Sequence, residues 1–327
     1  MKELRIDSFG PPNDVVKLVE VDEPSPGAGQ LLIALEAAPI NPSDLLLVRG
    51  VYGVRPDLPA KLGAEGVGRV VGVGDGVDQS RVGERVVVLP TLRQHTWVER
   101  TVADQRDVIT VDAAADPLQL SMIAVNPITA HVILTGYAEL KADTWVAQNS
   151  ANSAVGRYLV DLARLAGLRT VNIVRREEAA EALRADGVPN VLVSGPNLAD
   201  DVRGILGGEK LGLFVDALGG SQAGELTGLL RPGANIVAYS ALTGEPFTVP
   251  FMQVIFRDIS LRGFWLNQWL GAAPRAEIDS AYRYLAGLVA DGSLSAPVEA
   301  TFGLEEYAEA IRRAGRFRRA GKIVFTF

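Results

Sequence analysis

Thr144-Trp145-Val146-Ala147-Gln148-Asn149-Ser150-Ala151-Asn152-Ser153-Ala154-Val155-Gly156 is the stretch that decides how this chain folds. The apolar run Thr144–Gln148 predicts a buried strand and Asn149–Ser153 a polar loop. Ala154–Ala166 reads as a helix, because Val155, Leu159, Leu162, Ala163 and Ala166 fall on one face at helical spacing. A helix N-terminus offers unpaired backbone N–H groups and the positive end of its dipole, so this unit can receive a dinucleotide pyrophosphate. At G-x-G-x-x-G spacing the chain carries Ala151, Ser153 and Gly156, only the last a glycine. As a bare pattern, an ordinary strand-to-helix turn is an equal reading.

The next apolar run, Val171–Val174, ends in Arg175-Arg176, about twenty residues on, where an NAD site carries an acidic residue for the ribose hydroxyls. Two guanidiniums there suit the bidentate recognition of a 2′-phosphate and favour NADPH. The plainer alternative is a solvated arginine pair followed by Glu177 and Glu178. Further short apolar runs come at Val191–Val193, Leu213–Val215, Asn235–Tyr239 and Leu261–Phe264, with helical stretches between them. That alternation predicts parallel strands joined by crossover helices, a doubly wound sheet.

Outside this middle the rhythm differs. Residues 1 to about 103 read as strands and glycine-rich turns, as in Leu31–Leu35 and Gly68–Val73. Arg275–Asp291 reads as a helix with Ile278, Tyr282, Leu285 and Val289 inward, and Lys322–Phe327 as a last strand. The expectation is an α/β protein: a β-rich domain over 1–120, a cofactor domain over 121–272, and 273–327 completing the first domain. With 327 residues, 48% of them hydrophobic, the chain is large enough for two cores.

A net charge of −7 without a Lys/Arg cluster argues against nucleic acid or an anionic membrane as partner. The absence of cysteine excludes disulfides and thiolate metal sites. No apolar leader opens the chain and no run reaches about 18 apolar residues, from which a cytoplasmic protein is expected.

Several blocks together resemble a known family. Asn149–Gly156 followed by Gly167–Arg175 is similar to the cofactor segment of mitochondrial-type trans-2-enoyl-CoA reductases, zinc-independent members of the medium-chain dehydrogenase/reductase superfamily. Further resemblance lies in Ile40-Asn41-Pro42-Ser43-Asp44, Tyr52-Gly53, Leu58-Pro59-Ala60, Val125-Asn126-Pro127 and Leu261–Leu266 with Trp269, so it spans most of the chain in order. It implies a GroES-like catalytic domain split by a Rossmann-type domain, a homodimer, and NADPH-dependent reduction of enoyl thioesters. It also implies that Tyr52 is the proton donor. By the same likeness Asn126, Asn152, Ser153, Ala154, Val155, Gly156, Arg175, Arg176, Glu177, Tyr239, Ser240, Ala241, Leu242, Phe264, Trp265, Leu266 and Lys322 fall where the family contacts NADPH.

Zinc-containing relatives place a cysteine and a histidine where this chain has Asn41 and Ala64, and only His95 and His131 occur at all. No zinc set of the usual kind can be assembled from them. Without a metal, reducing an activated C=C needs a hydride at the β carbon, a donor for the enolate oxygen and a proton for the α carbon. Tyr52, in the glycine-flanked loop Arg49–Gly53, can supply the last two; the alternative is a packing tyrosine with its hydroxyl at the surface. Phe264, Trp265, Trp97 and Trp269 either line an acyl pocket or belong to the core.

Asn126 is either a helix cap or a cofactor ligand, and His95 by default a partly exposed loop histidine. Lys322 either approaches the cofactor or opens an edge strand as a solvated lysine. Arg55, Lys61 and Arg93 are candidates for a phosphate-binding patch. Tyr239-Ser240-Ala241-Leu242 departs from the glycine-rich form of relatives. A quinone or enone reductase, and a non-catalytic NADPH-binding protein, are the competing readings.

Overall fold

The computed structural model describes residues 1–316 and 320–327. The chain forms two compact units, one of Met1–Ile128 with Leu270–Phe327 and one of Thr129–Trp269.

The second unit is a six-stranded parallel sheet in the order Val191–Val193, Arg169–Val174, Trp145–Gln148, Leu211–Asp216, Leu230–Ala238, Ser260–Gly263. The first strand in sequence thus lies in the middle, and the order reverses between it and Leu211–Asp216, the place where doubly wound sheets bind ligands. Trp145–Gln148 and Leu211–Asp216 are buried at every position, which is why both read as unbroken apolar runs. Helix Ala154–Leu165 buries Val155, Leu159, Leu162 and Ala163 as its spacing predicts. At roughly 1.5–3 kcal/mol for each large side chain, that face holds the helix to the sheet. Ala166 is exposed instead, because the helix has already ended and Ala166 is its C-cap.

The first unit holds two sheets, antiparallel except where Val298–Phe302 pairs parallel with Lys322–Thr326. A three-stranded sheet runs Val16–Glu20, Lys2–Ile6, Ala60–Lys61. The larger sheet runs Val298–Phe302, Lys322–Thr326, Gln30–Pro39, Gly66–Val73, Arg85–Val88, Val108–Thr110, with Arg100–Asp104 also on Gln30–Pro39. Lys322–Thr326 lies between two neighbours, so the edge-strand reading of Lys322 is corrected. Trp97 is fully buried edge-on to Phe325, centroids 5.4 Å apart, and donates from Nε1 to the Pro39 carbonyl at 3.2 Å. It belongs to the core and not to a pocket. Helix Arg275–Ala290 buries Ile278, Tyr282, Leu285 and Val289, the four positions its spacing singles out.

Among the described residues no helix is long and apolar enough to cross a membrane.

Candidate active site

In the second unit, the loop after Trp145–Gln148 is built to hold its shape. Ser153 caps the following helix, its Oγ accepting from the Gly156 N–H at 3.1 Å. Gly156 packs directly on the loop: a Cβ there would stand 2.7 Å from the Ala151 backbone. Glycine is required by that close approach, even though Ala151 and Ser153 replace the other two glycines of the pattern. From beneath, Gln148 donates to the Gly156 carbonyl at 2.9 Å and to Asn172 Oδ1 at 2.8 Å.

Two residues that sequence reasoning missed tie this loop across the reversal of strand order. Asn149 donates to Asp216 Oδ1 at 2.9 Å and accepts from the Ala217 N–H at 2.7 Å. Asp216 in turn takes the N–H groups of Leu218 and Gly219 at 2.7 and 3.0 Å. The signal for them was present: Asp216 is the polar last residue of one fully buried strand and Asn149 directly follows another. Tyr239 forms a hydrogen bond with Ser153. Its phenol is pushed up to about 12, first by desolvation, then by the Asp216 charge, and so stays neutral.

Asn152 is exposed, Ser153 and Ala154 are half-buried, and Val155 and Gly156 are buried. This leaves the N-terminal turn of a twelve-residue helix reachable from solvent, as a dinucleotide pyrophosphate requires. Arg175 is exposed and Arg176 half-buried, and neither guanidinium has a partner among the described residues. Glu177, which could have neutralised them, pairs with Arg184 at 2.5 Å. The Tyr239 and Leu242 N–H groups are spent on the Asp216 and Ala217 carbonyls, each at 3.0 Å. Half-buried Ser240 and exposed Ala241 and Leu242 complete that loop. Phe264 is buried edge-on to Tyr137, Leu266 is buried, and Trp265 is exposed. The residues present therefore fit a nicotinamide dinucleotide at this loop.

In the first unit, Tyr52 is half-buried in the loop after helix Pro42–Val48. Phe9 braces that loop on both sides of it. Gly50 has φ +72° and lies so close that a Cβ would stand 2.9 Å from the Phe9 ring, while the Arg55 guanidinium stacks over the same ring at 4.3 Å.

The start of the same helix rests on a buried polar cluster. Asn41 Nδ2 donates to Glu65 Oε1 at 2.7 Å, and Asn126 Nδ2 donates to Asn41 Oδ1 at 3.0 Å. The Lys322 ammonium donates to the same Asn41 oxygen. The Asn41 N–H donates to Asp44 Oδ2 at 2.8 Å. Burial pushes Asp44 up to about 6 and Glu65 up to about 7, with Lys322 opposing both shifts and Asp44 adding to that of Glu65. Asn126 is thus the first residue of its helix, with its amide turned onto this cluster.

The remaining candidates are placed elsewhere. Lys61 is 3.5 Å from Glu3, and Arg93 pairs with Asp107, so two of the three proposed phosphate contacts are already engaged. His95 is the partly exposed loop residue expected, 3.3 Å from Glu3, and burial lowers its pKa.

Residues 27–112 match the alcohol dehydrogenase GroES-like domain and residues 154–284 the zinc-binding dehydrogenase family. The mitochondrial enoyl-[acyl-carrier-protein] reductase of Arabidopsis thaliana is 34% identical over 332 residues, 100% of this chain and 88% of the relative. This chain belongs to the enoyl reductase family of the medium-chain dehydrogenase/reductase superfamily. The reductase is an oxidoreductase that works with a nicotinamide cofactor.

A protein from Bacillus thuringiensis described as an NADPH:quinone reductase superposes on the reductase with TM-score 0.91 at 26% identity, covering 100% and 98% of the two chains. The Etr1p/NADP/crotonyl-CoA complex superposes with TM-score 0.84 at 20% identity, covering 100% and 99%, and shares the fold. Despite one family's description, the reductase does not fit zinc. Asn41 and Ala64 are not zinc ligands of the usual kind, and a lysine ammonium already bonds to the Asn41 side chain.

The expectation of a cytoplasmic protein is overturned here, because the curated relatives that match along the chain are mitochondrial reductases.

Proposed function

We propose that the reductase reduces trans-2-enoyl thioesters with NADPH, with Tyr52 as proton donor. The observation that carries the reading is the braced Tyr52 loop, which ring contacts hold on either side of a half-buried phenol. The cofactor would supply a hydride to the β carbon. Tyr52 then holds a proton at Oη, hydrogen-bonded to the enolate oxygen as charge develops, and yields it to the α carbon. Asn152–Gly156 would seat the pyrophosphate at the helix N-terminus. Arg175 and Arg176, unneutralised because Glu177 is held by Arg184, would take the 2′-phosphate. The reaction needs no Lewis acid on this reading.

The test is NADPH oxidation by the purified protein with trans-2-enoyl-CoA substrates and, in parallel, with simple quinones. The likeness to the Bacillus protein favours a second reading, a quinone or enone reductase on the same fold. Quinone reduction protonates no carbon, so it tolerates Tyr52→Phe, whereas enoyl reduction does not.

The assembly fitting this reading is a homodimer. Phe251, Ile255 and Phe256 are 67%, 65% and 70% exposed on helix Phe251–Arg257, and Ser260–Gly263 is the outermost strand of its sheet. Such an apolar surface asks for a partner. Light scattering is expected to give twice the chain mass for the wild type, and the mass of one chain for Phe256→Glu.

A further inference from the structure

The buried cluster of Asn41, Asp44, Glu65, Asn126 and Lys322 has no role in the chemistry above, yet it gathers two carboxylates, two carboxamides and an ammonium from four distant parts of the chain. Asn41 lies 24 residues from Glu65, 85 from Asn126 and 281 from Lys322. Burying charge is costly unless it is paired and hydrogen-bonded, so a set this dense calls for an explanation. Its location supplies one. Asn41 precedes helix Pro42–Val48, and an unbroken run of backbone hydrogen bonds leads on from there. Arg49 bonds to Leu45, Gly50 to Leu47 and Val51 to Leu46, the last at 3.1 Å, and the next residue is Tyr52.

We infer that the cluster is the foundation that positions Tyr52, with Lys322 as its built-in cation. The ammonium bonds to Asn41 and offsets the carboxylates of Asp44 and Glu65, so the helix start is held by the chain's own charge. Lys322 is then a positioning residue that acts through Tyr52. This inference rests on the proton-donor reading of Tyr52.

The experiment is a double-mutant cycle of Lys322→Met with Tyr52→Phe, reading kcat with crotonyl-CoA and, separately, the Kd for NADPH from its fluorescence. Lys322→Met is expected to lower kcat by on the order of tenfold to a hundredfold, the usual penalty for a misplaced group, with the Kd for NADPH within about twofold of wild type. In the Tyr52→Phe background it should add almost nothing. Lys322→Arg, which keeps the charge, should recover part of kcat, and this variant carries the test if Lys322→Met does not fold.

A weakened NADPH Kd with kcat preserved would make Lys322 a cofactor contact and overturn the inference. So would losses that multiply in the Tyr52→Phe background. If Tyr52→Phe alone leaves enoyl turnover intact, the underlying reading fails first, and the cycle shows which of the two has failed.

Discussion

Two helices in this chain begin at polar loops, and the two beginnings are treated in opposite ways. The start of Ala154–Leu165 is held from behind by Gln148, Asn149 and Asp216, while Asn152 stays exposed and Ser153 half-buried. The start of Pro42–Val48 is sealed by buried Glu65, Asn126 and Lys322. An open N-terminus remains available to an anion, whereas a sealed one can only support the segment downstream of its helix. The difference separates cofactor binding from the placing of a catalytic side chain, although both rest on hydrogen-bonded loops of similar composition.

The comparison can be broken most severely at Gly156. A valine there drives its side chain into the Ala151 backbone, so Gly156→Val is expected to abolish NADPH binding, measured by fluorescence titration, and to lower Tm sharply. Retained binding would mean that the loop's shape is not what receives the cofactor. Lys322→Met should cost roughly 3–5 kcal/mol of stability in denaturant melts, because it leaves buried carboxylates uncompensated. Adding Glu65→Gln should return a good part of that loss.

At the open end, Arg175→Ala with Arg176→Ala is expected to raise the KM for NADPH by about a hundredfold and leave that for NADH nearly unchanged, the loss of charge-assisted hydrogen bonds to one phosphate. Equal effects on both cofactors would remove the arginine pair from the site. Ser153→Ala deletes a helix cap and should cost about 1 kcal/mol.

The smallest effect is a dependence on pH. Asp44 and Glu65 hold their protons more tightly folded than unfolded, so the folded state binds more protons over the interval between. Stability must then fall as pH rises from the ordinary carboxylate values of 3.8 and 4.5 to about 6 and about 7 and level off above them, a decline in Tm between about pH 4 and about pH 7 that Glu65→Gln should flatten. The groups facing one another in this balance are Asp44, Glu65 and Lys322, with the Tyr282 phenol kept neutral by burial.

The same contrast marks how much was legible in the sequence. The open site was, because its parts lie within a short span: a buried strand, a polar loop, a helix with its apolar face, and a charged pair one strand later. Local periodicity reports such units directly. The sealed site was not, since Asn41, Glu65, Asn126 and Lys322 meet only through tertiary pairing. Lys322 in a terminal strand looks like any solvated lysine until that strand is found between two others.

Phe9 was silent for the same reason, since nothing in its surroundings announces that Gly50 and Arg55 will close on its ring. His95 is the partly exposed loop residue its surroundings suggest, but its contact with Glu3 on the first strand is visible only in the fold. The zinc question shows the limit in the other direction. Residue types alone removed the usual ligands, but the ammonium bonded to Asn41 could be seen only in the fold.

The most direct test of the account is the turnover of trans-2-enoyl-CoA with NADPH by wild type and Tyr52→Phe under single-turnover conditions. A wild-type rate that drops by on the order of a hundredfold or more in the variant, with NADPH affinity unchanged, is the outcome expected of a proton donor. An undiminished rate in Tyr52→Phe would contradict it and leave a nicotinamide-dependent oxidoreductase whose proton comes from elsewhere.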